Sequence, residues 1–346
     1  MKKVVIDARC IFDSGVGVYL RELLQRLTKE NITIELIINP EQLAPLELLM
    51  LCVEKVHIVN FGRLSIKNLF SLNKLIKHAD IYLMPALAVS PINSKVEQVP
   101  VIHDICPIRM YKSFGYLVAS AYWFILALQL FKAKTVIAIS DFTKNEINAI
   151  YPAALTKKVE VIYNGLSTRL NESTNASQHT KPYLLCVGNI KPHKNIIGFV
   201  NYFSERSGYA DTHSLVVVGQ AEGFRTGINS PLSKNDNVEF TGFVSDEQLS
   251  DLYQNASAYI FPSFYEGFGL PLLEAMSFNL PILASNIPVF KEIAEDKIEY
   301  FDPNDFNDFD IKLTRLLKRS SADYSGILER YTWEKNVQAM MSIINR

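Results

Sequence analysis

The chain has 346 residues, enough for about two domains that each bury a core of their own. A formal net charge of −1, with 21% charged residues, removes any whole-protein electrostatic case for nucleic acid. Cys10, Cys52, Cys106 and Cys186 stand without metal or redox spacing and read as reduced thiols, although 48% apolar residues is high for a soluble chain.

Lys3–Ala8 has a buried-strand pattern that turns polar at Asp7-Ala8-Arg9, so the chain is expected to open on a strand, not a secretory leader, and to be cytoplasmic. A loop carrying Gly15 and Gly17 leads to an amphipathic helix from about Val18 to Lys29. The pair could admit a diphosphate or could make a tight strand-to-helix turn. It is not a dinucleotide fingerprint, since Leu20 stands where the third glycine would be. Strands follow at Thr33–Ile38, His57–Val59, Asp80–Met84 and Pro100–His103, with helical patterns between, which predicts a doubly wound parallel sheet. His103-Asp104 then falls at a strand's carboxyl end, where such sheets bind ligands.

Gly115 to Phe131 is uncharged for 17 residues, bracketed by Lys112 and Lys132. It is short for a membrane span and reads as a buried helix, a partner-facing helix or one resting on a membrane face. Further elements are a strand at Thr135–Ile139, a helix Phe142–Ile150 capped by Ser140-Asp141, and a strand at Val159–Tyr163. Ser167–Lys181 is polar and reads as a linker.

The strand–helix rhythm restarts at Tyr183–Val187, followed by Gly188-Asn189-Ile190-Lys191-Pro192-His193-Lys194-Asn195 and a helix. Basic groups beside a glycine at a strand end suit a diphosphate, although a solvated charge cluster has the same letters. Val238–Thr241 leads into Gly242-Phe243-Val244, and Asp246–Gln254 makes a short helix. The central stretch is Glu266-Gly-Phe268-Gly269-Leu270-Pro-Leu-Leu-Glu274-Ala-Met, between the strand Ala258–Phe261 and a helix expected to carry Glu274 in its first turn. A glycine turn feeding a helix N-terminus is an anion site, and Pro271 suits the first helical turn. Carboxylates on either side suit the hydroxyls of a nucleotide sugar, although a loop charge at Glu266 and a carboxylate favouring the positive helix end at Glu274 have the same letters. Pro281–Ser285 reads as the last clear strand, and Thr332 as the cap of a terminal helix.

Glu266-x7-Glu274 in this setting resembles the donor motif of family 4 retaining glycosyltransferases, the glycosyl transferases of group 1. Val101–Pro107 and Gly188–Asn195 resemble that family's His-Asp segment and phosphate loop, except that Asn189 stands where many members carry arginine. The resemblance implies an α/β GT-B fold, two Rossmann-like doubly wound parallel-sheet domains facing a central cleft. Domains are expected at 1–168 (acceptor), 182–330 (nucleotide sugar), a linker at 169–181, and a helix at 331–346 crossing back to the first domain.

The resemblance also implies roles. His103 and Glu266 would orient the donor sugar. Lys194, with Lys191 or His193 and amides near Gly15–Gly17 and Gly269–Leu270, would take the leaving diphosphate's charge. Gly188, Asn189, Phe243, Val244 and Phe268 would line the nucleotide, and Glu274 would hold the ribose. The chain is read as carrying no Asp-x-Asp motif for a metal, so no metal or other cofactor is expected. The letters look most like GDP-mannose enzymes of surface-polysaccharide (O-antigen or capsule type) assembly, with a glycan or lipid-linked acceptor and peripheral association with the cytoplasmic membrane face. UDP- or dTDP-sugar transfer, a GT-B epimerase or phosphorylase, a glycosidase and a non-catalytic module stand as alternatives.

Overall fold

The computed structural model describes residues 1–47, 49, 51–92, 94–170, 179–219, 237–318 and 322–346. Residues 171–178, the middle of the expected linker, lie outside them. The chain divides into two units, Met1–Gly165 with Tyr331–Arg346, and Leu166–Arg330.

The first unit is built on seven parallel strands: β1 (Lys2–Asp7), β2 (Ile32–Ile38), β3 (Lys55–Ile58), β4 (Ile81–Met84), β5 (Glu97–Ile102), β6 (Val136–Ala138) and β7 (Val159–Val161). Their spatial order is β3-β2-β1-β4-β5-β6-β7. The order reverses between β1 and β4, where Val4 pairs with Ile81. Val4, Val5 and Ile6 are fully buried, which is why β1 is a continuous apolar run and not an alternating one. Ser140 caps the helix Asp141–Ile150 by accepting from the Thr143 amide. The terminal helix Trp333–Ile344 is capped by Thr332 and packs in this unit: buried Trp333 lies 5.7 Å from Tyr19, and Asn336 donates to the Tyr163 carbonyl at 2.7 Å.

The second unit has six parallel strands: β8 (Tyr183–Val187), β9 (Ser214–Val218), β10 (Val238–Gly242), β11 (Ala258–Phe261), β12 (Ile282–Ser285) and β13 (Glu299–Phe301). Their order is β10-β9-β8-β11-β12-β13, reversing between β8 and β11. One face buries a cluster of Phe199, Phe203, Phe301, Phe306 and Phe309. Strand β13 follows what the sequence marks as the last clear strand. At three residues on the sheet edge, with Glu299 outermost, it is too short to show a period.

Candidate active site

In parallel sheets, ligands bind beyond the strands' carboxyl ends at the point where strand order reverses. In the second unit that point lies past Val187 and Phe261, and the loops leaving both strands are joined there. The Phe264 amide donates to the His193 carbonyl at 2.8 Å, which brings two distant segments together. Lys194 Nζ then lies 2.7 Å from Glu266 Oε1, with the two side chains 18% and 11% exposed. Ser263 donates to the same oxygen at 2.8 Å. Gly188 has φ +153°, a conformation that favours glycine, and the lysine stem runs beside it, its Cδ 3.4 Å from where a methyl would stand. Gly188, Gly219 and Gly242 end the adjacent strands β8, β9 and β10, so Phe243 sits on the same carboxyl edge and is exposed, with Val244 half-buried beside it.

The helix after β11 runs from Leu270 to Ser277, with Gly269 as its N-cap at φ +113°. A Cβ on Gly269 would meet the Phe290 ring at 3.1 Å. Glu274 is therefore a full turn into the helix, not in its first turn. It is 3% exposed, and both its oxygens are engaged: Arg169 donates to Oε1 and the Tyr253 hydroxyl to Oε2, each at 3.0 Å. Arg169 also pairs with Asp246 at 2.9 Å. The Phe268 side chain is buried in the core, so only its backbone faces the turn. Lys191 stands just before the short turn Pro192–Lys194, and Asn189 is half-buried in the same loop. Burial lowers the His193 imidazole to about 4, with Glu266 opposing, so it is neutral at neutral pH.

One Asp-x-Asp triplet does stand in the chain, Asp308-Phe309-Asp310. Asp310 accepts from Tyr202, Ser207 and the Gly208 amide, and Asp308 pairs with Lys312, so both carboxylates are tied into the fold.

His103, Gly15 and Gly17 belong to the first unit. Beyond its own switch point is a pocket of about 550 Å³, lined by Arg9, Asn39, Arg63, His103, Asp104 and Tyr122 among others. His103 Nε2 donates to the Pro85 carbonyl at 2.8 Å, leaving Nδ1 as the lone-pair nitrogen. Burial lowers its pKa to about 4, against that hydrogen bond. Arg9 is held in place by a two-pronged pair with buried Asp7, at 2.7 and 2.6 Å. The helix begins at Gly15, three residues earlier than expected. Gly15 has open space around it, but a Cβ on Gly17 would lie 2.7 Å from the Ile11 carbonyl oxygen, so Gly17 is closed off by its own loop. Arg9, Asn39, Arg63, Tyr122, Arg169, Tyr253 and Ser263 were not singled out in the sequence. Each stands alone among residues of ordinary loop or helix composition.

Two switch points, each with a polar site at its carboxyl edge, define the GT-B class of glycosyltransferase fold. The family described as Glycosyltransferase Family 4 matches residues 14–170, and that described as Glycosyl transferases group 1 matches residues 168–336. The chain belongs to the family 4, group 1 glycosyltransferases. It is 30% identical over 244 residues to the O-antigen chain mannosyltransferase RfbU of Salmonella typhimurium, covering 68% of this chain and 66% of that one. It is 28% identical to the O-antigen chain mannosyltransferase B of Escherichia coli, over 58% of each. The chain thus spans less than two thirds of these curated relatives. The crystal structure of Anabaena HepE in complex with UDP and glucose matches the whole of both chains with a TM-score of 0.79. At 15% identity, that likeness shows the fold.

Proposed function

We propose that the chain is a retaining, metal-independent hexosyltransferase that moves mannose from GDP-mannose to a glycan or lipid-linked acceptor in surface-polysaccharide assembly. The observation that carries this is the Lys194–Glu266 pair beyond the switch point of β8 and β11. Cleaving the bond between the anomeric carbon and the diphosphate puts positive charge on the sugar ring and negative charge on the leaving group. Lys194 and the amides at the start of the helix Leu270–Ser277 supply the compensating charge, in place before the bond breaks. On donor binding the diphosphate replaces Glu266 as the partner of Lys194, and the freed carboxylate accepts from sugar hydroxyls. Glu274, held by Arg169 and Tyr253, accepts from the ribose in exchange for one of these donors. In the first unit, neutral His103 presents Nδ1 as an acceptor for a hydroxyl at that unit's own pocket. The acceptor proton leaves with the phosphate in a front-face attack, so neither glutamate serves as nucleophile.

The guanine nucleotide and mannose rest on the names of the two O-antigen relatives. A uridine donor is the second reading, favoured by the HepE likeness. A thermal-shift panel of GDP, UDP and dTDP decides between them, because a ligand of the native state raises its apparent stability. A shift with GDP, followed by transfer from labelled GDP-mannose, supports the first reading. A shift with UDP or dTDP alone replaces it, and no shift with any of the three removes the donor site.

Among the described residues, no helix is long and apolar enough to cross a membrane. The helix Tyr116–Lys132, without a charge before Lys132, nevertheless exposes Leu117, Trp123, Phe124 and Phe131. Its other side is anchored by buried Leu126, Leu130 and Gln129, the last donating to the Ala88 carbonyl at 3.0 Å. This face fits a lipid surface, with Lys112 and Lys132 at its ends. Leu117→Asp with Phe124→Asp should abolish co-flotation with anionic vesicles. Unchanged flotation of that variant, or none of the native chain, rejects this contact.

A further inference from the structure

In the first unit, away from the carboxyl-edge loops, three side chains of the metal-binding type converge. Glu35 sits in the middle of β2 and is 2% exposed. His57 Nε2, from the edge strand β3, lies 2.6 Å from Glu35 Oε2. His78 Nε2, two residues past the helix Asn68–Ile76, lies 3.0 Å from the same oxygen. The three donor atoms are all within 4.8 Å of one another. The other oxygen, Oε1, is engaged by Lys3 Nζ at 2.8 Å, and Lys3 also reaches Glu54 at 3.6 Å.

We propose that Glu35, His57 and His78 form a structural site for one divalent transition-metal ion of the zinc class. Two imidazoles and one carboxylate are a donor set for zinc and its neighbours, and too nitrogen-rich for magnesium or calcium. In the described geometry two imidazole N–H groups crowd one carboxylate oxygen, and a single ion replaces both protons. A tetrahedral ion with bonds of about 2.0–2.1 Å holds its donors roughly 3.3 Å apart. The two oxygen–nitrogen distances need to open by only about 0.3–0.7 Å, within reach of small side-chain rotations.

Lys3 fills the outer-shell role. It engages the second oxygen and keeps the carboxylate single-pronged, while Glu54 offsets its charge. The His78 side chain is 36% exposed, which gives the ion an entry route and a water its fourth position. The site lies on the side of the sheet and not in its carboxyl-edge loops: Glu35 is in the middle of β2, His57 within β3, and His78 precedes β4. Ligands in such sheets bind at those loops, so the ion's role is structural. It would pin the four-residue edge strand β3, which pairs with β2 alone, to the connection before β4.

The test is titration of the chelator-treated full chain with zinc ion alone, followed by calorimetry and thermal melting, with cobalt absorption as a second probe. We expect one ion per chain at micromolar affinity or tighter, a raised melting temperature, and a tetrahedral cobalt band. His78→Gln, at the half-exposed position, should fold and bind at least about tenfold more weakly. His57→Gln should do the same. Absence of binding to the native chain overturns the proposal, as does binding that is unchanged in His78→Gln and in Glu35→Gln. Nucleotide-induced shifts provide an independent readout, since they report on the other unit.

Discussion

Replacing Lys194 by alanine removes one cation that has two possible partners, and the structure sets the size of each loss. In the unliganded chain the lysine pairs with Glu266 at 2.7 Å, and the two side chains are 18% and 11% exposed. This lies between an exposed pair, worth about 0–1 kcal/mol, and a buried one, where losing a partner costs about 3–5 kcal/mol. Ser263 still donates to the orphaned carboxylate, so we expect a stability loss of about 1–3 kcal/mol. For a unit of this size, each kcal/mol lowers the melting temperature by about 2–4 °C. Turnover should fall further, by at least ~10²-fold, which is about 2.7 kcal/mol of transition-state stabilisation. The assay is steady-state transfer from the donor selected by the nucleotide panel, with Lys194→Ala, Glu266→Ala and the double variant side by side. If both groups act on the donor, each single variant loses ~10²-fold or more and the double variant is slower than either. If Lys194 only holds Glu266, the double variant is no slower than Glu266→Ala. Rates within about threefold of native for both single variants, at intact nucleotide binding, would refute the catalytic assignment.

Arg169→Ala leaves buried Glu274 with only the Tyr253 hydroxyl and should cost about 3 kcal/mol in urea unfolding with an unchanged slope; a loss under about 0.5 kcal/mol would mean water serves the carboxylate as well. His103 and His193 are both lowered to about 4 by burial, whereas in the unfolded chain they titrate near 6.5. Between those values the unfolded chain binds more protons, so stability is fully present above about pH 6.5 and falls as the pH drops toward about 4. Urea midpoints at about pH 7 and about pH 5 check this, and His103→Asn should flatten the slope. Gly17→Ala should destabilise by about 1–3 kcal/mol because its methyl meets backbone, while Gly15→Ala, in open space, should be neutral or slightly stabilising; thermal melts of the two should separate clearly.

Strands whose faces are both covered must be apolar throughout, so runs such as Lys3–Ala8, Tyr183–Val187 and Ala258–Phe261 announce two parallel sheets from the sequence alone. The glycines at 188 and 269, Pro271 and the caps Ser140 and Thr332 were equally legible, because each answers a local backbone demand. Pairings between distant segments were not. That Lys194 meets Glu266 depends on the backbone bonds from Phe264 and Tyr265 to the His193 carbonyl. Arg169 sits in a stretch whose composition signals only solvent, yet it lands on Glu274 across 105 positions. Gly17 and Gly15 read alike in one dimension, and only the fold decides that one is packed against Ile11 while the other stays open. Glu35, His57 and His78 carry no motif at all, since β2, β3 and the loop before β4 become neighbours only when the sheet forms. The sequence by itself determined what the backbone must do locally and which segments must be hidden from water. Tertiary structure decided which charges face one another, because the partner of a buried charge is whatever side chain the fold places within reach of its desolvated atoms.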